Sequence, residues 1–313
     1  MSGRRVILLG PQRDHPTVRD AVASLKLEPD SRVAVITAGW EEREPEDLEL
    51  DDHLGSELVN LKIYQRGDKV FAEDPELHRA MRERHDLLRE LQRLYRLRLL
   101  HALEAAQQLM AREGDERLLA PERSAAIEAL RDIDAHHFAR VVEIHGEFEA
   151  KWKLHDRPSV APHREELREA LSGTRALLIA GGHVGILRNR MRLFDVLSLS
   201  GDQPIIAWSA GAMVLSERVI LFHDDPPQGQ GFAEVFVPGF GVCTGVVPLP
   251  HARRRLKLDD PARIELFARR FGPDLCATLD DHGEVRWDGA RWSGNDHARR
   301  LSTDGSLQGV AST

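Results

Sequence analysis

Short apolar runs alternate with helical spacings over the first seventy residues. Val6–Leu9 is an apolar run closed by Gly10-Pro11. Thr17–Leu25 carries helical spacing. Arg32–Gly39 reads as a second buried strand ending in a small-residue loop, and Leu58–Tyr64 as a third. Short aliphatic runs punctuated by Gly and Pro, with amphipathic stretches between them, predict βαβ units and a parallel sheet with helices on both faces.

The pattern then changes period. Between Pro75 and Pro121 there is no proline, and Gly114 is the only glycine. Met81, Leu88, Tyr95, Ala102 and Leu109 recur every seven residues, with Leu91, Leu94 and Leu97 widening the stripe. A second stripe follows through Ile127, Leu130, Val141, Ile144 and Phe148, and it also carries Asp134 and His137. This spacing predicts two long helices joined around Gly114–Pro121 as an antiparallel hairpin. The polar members of the second stripe argue against an ideal coiled coil.

The α/β pattern resumes after Pro158–Pro162. A helix over about His163–Leu171 leads to a strand at Ala176–Ala180, which Gly181-Gly182 ends. Val184–Leu199 reads as one helix and Pro204–Ala207 as a strand. Cys276–Leu279, Glu284–Trp287 and Ala290–Trp292 read as short antiparallel strands, with turns at Asp281-His282-Gly283 and Asp288-Gly289. The polar tail beyond Asn295 is expected to be loosely held. The expected fold is therefore α/β: a flavodoxin-like three-layer αβα core with a mostly parallel sheet. It is a discontinuous single domain, 1–74 and 163–313, with a long antiparallel helical hairpin inserted at 75–162.

Composition narrows the class. The 313 residues are 42% hydrophobic, enough for a substantial core, and the net charge of −8 gives no reason to expect nucleic acid. Cys243 and Cys276 form no CxxC or Cys/His zinc spacing. Met1–Gly10 places basic residues before an apolar run too short for a signal-peptide core, so it reads as a first strand. No apolar stretch approaches membrane-spanning length. A cytoplasmic protein with neither a nucleic-acid nor a membrane partner is expected. His136, His137 and His145 share the second long helix, but no carboxylate/histidine quartet accompanies them. No metal and no cofactor are therefore expected.

The densest chemistry lies in Ile205-Ile206-Ala207-Trp208-Ser209-Ala210-Gly211-Ala212-Met213-Val214. A buried strand runs into a serine, small residues follow, and a helix begins, as in a nucleophile elbow. Ala207, Ala210 and Gly211 leave room for a crowded turn, and the N–H groups of the helix's first turn lie where an oxyanion could be received. A serine nucleophile needs a base and an orienting acid. His251, at the end of the apolar run Val246–Pro250 and before three arginines, is one candidate base; His223 competes. Asp224 and Asp225, in a loop fixed by Pro226-Pro227, are candidate acids. Gly181-Gly182 follows a buried strand and lets a substrate carbonyl approach the backbone.

Taken in order, strand–Gly-Gly–helix, Trp-Ser-Ala-Gly-Ala, an Asp loop and Pro-His followed by arginines resemble the S51 serine peptidases. This is the dipeptidase E and cyanophycinase family, with a class I glutamine-amidotransferase-like fold. The resemblance covers about residues 4–72 and 165–292 and is densest over 176–256. It implies Ser209 as nucleophile, His251 as base and Asp224 as acid, with the N–H groups of Gly182 and Ala210 forming the oxyanion hole. Leu279–Val285 resembles the family's late Asp-rich strand and turn. Ala207 stands where the family usually has Gly, and His183 where it often has Asn or Asp. The hairpin has no counterpart in compact members.

The resemblance implies hydrolysis of a peptide or amino-acid-derived amide through an acyl-enzyme, with preference for acidic residues. Substrate contacts are expected at Gly181, His183, Arg253 and Arg255, since arginine offers a bidentate fork to carboxylates. The competing reading is a catalytically inactive S51-like scaffold that docks a partner through the hairpin. Glutamine amidotransfer is disfavoured, because those relatives carry cysteine at the elbow. The hairpin would cover a sheet face, form a homodimer or act as a lid.

Overall fold

The computed structural model describes residues 4–28, 30–55, 57–227 and 231–310. Met1–Gly3 of the N-terminal segment and the last three residues of the tail lie outside the described residues. The opening third contains β1 (Val6–Leu9), α1 (Val18–Ser24), β2 (Val33–Ile36), α2 (Leu48–Leu54), β3 (Leu58–Asn60) and α3 (Ile63–Glu73). The hairpin is α4 (Pro75–Ala111) and α5 (Glu116–Trp152). Next come α6 (Ala161–Ser172), β4 (Leu177–Ile179), α7 (Val184–Phe194), α8 (Val196–Leu199), β5 (Ile205–Trp208) and α9 (Ala210–Leu215). The last third contains β6 (Arg218–Leu221), β7 (Glu234–Pro238), β8 (Val246–Pro250), α10 (Ala252–Arg255) and α11 (Pro261–Phe271). It ends with β9 (Leu275–Leu279), β10 (Glu284–Trp287), β11 (Trp292–Gly294), β12 (Arg299–Leu301) and β13 (Leu307–Gly309).

The apolar runs form a seven-stranded sheet in the order β11-β10-β1-β5-β4-β2-β3. Strands β1, β5, β4, β2 and β3 are mutually parallel, and β10 and β11 add an antiparallel edge. Strands buried on both sides need continuous apolar runs, which is why the sequence shows runs rather than alternation. Val6, Leu8, Ala34, Ile36, Leu177, Ile179, Ile205 and Ala207 enter the core on one face. Their neighbours Ile7, Leu9, Val33, Val35, Leu178, Ile206 and Trp208 face the other way, against Val18 and Ala21 of α1 and Leu54 of α2. The β3-β2-β4-β5 part has the strand order of flavodoxin-like sheets, with β1 in the place of the fifth strand.

The hairpin starts where Asp74 caps α4, accepting the Leu77 N–H at 3.0 Å, with Pro75 in the first turn. Arg157 returns to that same Asp74 carboxylate through two hydrogen bonds, of 2.7 and 3.0 Å, so the hairpin leaves and rejoins the core at one point. The connection is tighter than its proline suggested: α4 ends at Ala111, α5 is capped by Asp115, and Pro121 lies within α5. Near a helix start, proline removes only one intrahelical bond. Leu94 and Leu97 do not widen the buried stripe; they are 55% and 62% exposed, and Leu99, Leu103 and Ala106 continue it instead.

The polar members of the stripes dock the hairpin. Asp134 accepts two 2.7 Å bonds from Arg270 of α11 and one of 2.6 Å from the Tyr95 hydroxyl. That hydroxyl accepts the Val235 N–H of β7 at 3.1 Å. His137 stacks on Tyr95 and lies 2.9 Å from the Gln92 amide oxygen, while the Gln92 amide donates to Glu234. This buried network leaves only the His137 Nδ1 of its described atoms without a partner, and such a network specifies one docking geometry, whereas an apolar seam can slide.

Three further expectations change. The helix read over Val184–Leu199 breaks at Asp195, which has φ +49°, giving α7 and α8. The run Cys276–Leu279 lies within β9, which pairs antiparallel with β12 as expected but in parallel with β8, inside a separate sheet of order β13-β12-β9-β8. The tail beyond Asn295 supplies β12 and β13 and buries Ala298, Leu301 and Val310, so its polar composition hides an alternating, half-buried pattern.

Candidate active site

β5 ends at Trp208, Ser209 makes the turn with φ +53° and ψ −120°, and α9 starts at Ala210. Such a conformation in a non-glycine residue stores about 1–3 kcal/mol and persists only where surrounding structure holds it. Here the Ser209 N–H donates to the Leu9 carbonyl, and α9 presses on the end of β4. A Cβ on Gly211 would sit 2.3 Å from the Ile179 carbonyl oxygen, so that position needs glycine.

The ends of β2 and β4 converge on the same spot, where the strand order reverses and open α/β sheets form their crevice. A Cβ on Gly181 would stand 2.8 Å from Ser209 Cβ and 3.2 Å from its Oγ. Gly182 has φ +107°, and a Cβ there would meet the Gly39 carbonyl oxygen at 2.1 Å. Gly39, at the small-residue end of the second apolar run, is thus a structural partner of the glycine pair. Its carbonyl accepts the His183 N–H at 2.7 Å. The N–H groups of Gly182 and Ala210 have no acceptor among the described residues. His183 is exposed and caps α7, its Nδ1 accepting the Ile186 N–H at 3.2 Å.

The histidine comes from the second sheet. His251 follows β8 with φ +57°, its N–H donates to the Leu279 carbonyl, and its Nε2 lies 3.5 Å from Ser209 Oγ. Catalytic hydrogen bonds are often this long before substrate arrives. His251, rather than His223, is therefore the histidine beside the serine. Burial pulls the His251 pKa down, the Arg255 and Arg254 charges lower it further, and Asp281 opposes them.

The carboxylate expected behind the histidine is engaged elsewhere. Asp224 is buried, accepts 2.6 and 3.1 Å bonds from Arg263, and accepts the Lys257 N–H at 2.9 Å. It makes no hydrogen bond to His251 among the described residues, and Asp225 pairs with Lys257 at 3.2 Å. The reason is topological: α11 brings Arg263 to the loop after β6, and a guanidinium outcompetes a neutral imidazole for a carboxylate.

Asp280 and Asp281 are the acids that follow β9, the strand paired in register with β8, and so stand level with His251. Asp280 is half-buried, accepts the Arg253 N–H at 3.0 Å, and has its pKa raised by burial. The sequence signal was the Asp-rich turn itself; its meaning depended on the β8–β9 pairing. Arg253 is exposed beside Asp280, whereas Arg255 is half-buried over the Phe222 ring without a carboxylate partner among the described residues. Cys243 and Cys276 are buried, and burial pushes both thiols up to about 12, which leaves Ser209 without a competing thiolate.

No protein-family model matches the sequence, and no curated protein does. Among solved structures, the crystal structure of a peptidase from an acI-B1 Actinobacterium is similar over 100% of this chain and 97% of its own, with TM-score 0.51 and 15% identity. A Listeria monocytogenes EGD-e protein with a provisional peptidase E name is similar over 96% of this chain and 99% of its own, with TM-score 0.41 and 10% identity. No helix among the described residues is long and apolar enough to cross a membrane. The first likeness, at 15% identity, establishes a shared α/β fold, with a central, mostly parallel sheet, between this chain and that peptidase.

Proposed function

We propose that the chain is a serine hydrolase of the S51 peptidase type, cleaving a peptide or related amide bond through an acyl-enzyme. The observation that carries this reading is Ser209, held at φ +53° on a strand-to-helix elbow with His251 Nε2 3.5 Å from its hydroxyl. His251 takes the Ser209 proton as Oγ attacks the carbonyl carbon. It returns that proton to the leaving amine, and a water repeats the sequence to release the acid. The free N–H groups of Gly182 and Ala210 receive the oxyanion, where a single donor is typically worth about 2.7–4 kcal/mol. Asp224 is not bonded to the histidine, and the negative charge that reaches His251 is that of Asp281, which favours the imidazolium that forms in the transition state. Arg255, half-buried and unpaired, is the candidate binder of a substrate carboxylate, with exposed Arg253 at the rim.

The test is covalent labelling with a fluorophosphonate, read by intact mass, followed by a screen of dipeptides and longer peptides bearing acidic residues. A single adduct on Ser209, absent in Ser209→Ala and in His251→Ala, is the expected result. A folded wild-type protein that resists labelling would overturn the hydrolase reading and leave the scaffold role.

A further inference from the structure

Two neighbouring cavities, of about 420 and 210 Å³, lie between the hairpin and α7 and share His85, Leu88, Ile186 and Asn189. No aspartate or glutamate lines either one, although the whole chain carries a net charge of −8. The larger is lined by Arg89, Arg93, Arg96, Arg188, His145 and His183 among others. Three of these arginines are exposed and meet acids: Arg89 meets Asp86 and Arg93 meets Glu90 on the surface, and Arg96 meets the buried Glu234.

Arg188 differs. It is 2% exposed, its Nε donates to the Pro238 carbonyl, and it has no carboxylate partner among the described residues. Its neighbours on α7 show that the helix does not lack acids in general. Arg190 pairs with Asp68 and packs over the Tyr64 and Phe71 rings, and Arg192 holds Glu149 through two bonds. The terminal nitrogens of Arg188 have no acceptor among the described residues. His145, facing the same cavity from α5, is buried with both ring nitrogens unpartnered. Arg84, buried in the smaller cavity over the Phe148 ring, leaves its Nε unpartnered as well. Burial and the repulsion of Arg192 and Arg84 pull the Arg188 pKa down to about 9, against the opposing charge of Glu149.

A buried guanidinium with no carboxylate bonded to it is costly unless an anion completes it. Arg188 with its Nε occupied still offers two parallel terminal donors, the fork that takes two oxygens of one oxyanion. Arg84 supplies a second buried cation, and the carboxylate whose charge reaches both, Glu149, is already bonded twice by Arg192. A phosphate group carries close to two negative charges on a single atom's oxygens, and a neutral imidazole such as His145 donates one further hydrogen bond. We propose that the cavity between the hairpin and α7 is a binding site for a phosphate-bearing small molecule, held by Arg188 with His145 and Arg84. The site does not depend on the chemistry of Ser209, although His183 places its wall one residue from Gly182.

The experiment is isothermal titration of the full chain with inorganic phosphate, and separately with succinate, at matched ionic strength. Phosphate is expected to bind saturably at one site per chain and at least about tenfold more weakly to Arg188→Gln, a difference of roughly 1.4 kcal/mol. The exposed Arg93→Gln, which keeps the core intact, is expected to weaken phosphate by about two- to fivefold through lost long-range attraction. Ser209→Ala is expected to bind phosphate as the wild type does, which separates this site from the hydrolase reading. Absence of saturation, equal affinity in a folded Arg188→Gln, or tighter binding of succinate than of phosphate would overturn the proposal.

Discussion

Replacing Asp224 by Asn distinguishes two roles for one carboxylate. If Asp224 orients His251, neutralising it costs roughly 10⁴ in reactivity, as in serine triads, equivalent to about 5.4 kcal/mol of transition-state stabilisation. The structure assigns it a different task. Its oxygens are filled by Arg263 and the Lys257 N–H, it is 6% exposed, and the Arg263 side chain is 13% exposed. Removing one partner of a buried pair typically costs about 3–5 kcal/mol, because the other charge stays behind unpaired. Arg263 keeps a little solvent, lies over the Phe267 ring, and would retain one amide oxygen, so about 2–3 kcal/mol is expected here. For a chain of this size that lowers Tm by roughly 3–5 °C.

Two measurements separate the cases. The second-order rate of fluorophosphonate labelling reports the Ser209–His251 pair without knowledge of the substrate, and thermal unfolding reports the Arg263 pair. Asp224→Asn is expected to lose the stated stability while labelling within about tenfold of wild type, a change of at most 1.4 kcal/mol. Labelling slowed by about a thousandfold or more, in a variant folded at the assay temperature, would refute this reasoning and return Asp224 to the catalytic apparatus.

Gly181→Ala places a methyl 3.2 Å from Ser209 Oγ, and labelling is expected to slow at least about tenfold while the fold persists by circular dichroism. The base must be neutral to act, and the His251 pKa is lowered. The acidic limb of the labelling rate is therefore expected below the ordinary histidine value of about 6.5. Arg255→Gln removes one of the charges that lower it, so that variant's limb moves to higher pH; an unchanged limb would contradict the electrostatic assignment. Asp134→Asn leaves Arg270 of the docking network buried beside a neutral partner. Urea unfolding is expected to show a loss of about 3–5 kcal/mol, whereas a loss under 1 kcal/mol would mean the network contributes little to docking.

How much of this was legible in the sequence follows from the range of each interaction. The elbow is local: a strand, a serine and small residues within ten positions specify the turn, and Ser209 occupies it. Gly181-Gly182 is likewise local, because the close approach it permits is a property of missing Cβ atoms. The hairpin's heptads were legible because each stripe repeats many times. What the sequence hid was pairing at long range. Nothing near Asp224 announces that Arg263, on another helix, will occupy it, and nothing near His251 announces that β8 will lie parallel to β9 and bring Asp280 and Asp281 alongside. A short apolar run looks alike in a parallel pair, an antiparallel pair or a second sheet.

The two sheets divide the labour in a way that gives the hairpin mechanical access to the site. Ser209 follows β5 of the large sheet and His251 follows β8 of the small one, and α9 packs against both strands. Gly182, the proposed second oxyanion donor, is held differently, by the start of α7. That helix is gripped at both ends: His183 N–H bonds the Gly39 carbonyl, and Arg192 holds Glu149 of α5 through two bonds of 2.6 and 2.7 Å. Between these grips, Arg188 ties α7 to the Pro238 carbonyl at the end of β7. The same β7 is fixed to the hairpin through Val235, Tyr95 and Gln92. The hairpin therefore contacts α7 and β7 at once, and α7, a helix of eleven residues, begins two residues after Gly182. An apolar stripe would have sufficed to cover the sheet; the buried ion pair and amide network fix the register of the hairpin on the core, which is what a helix carrying an oxyanion donor requires.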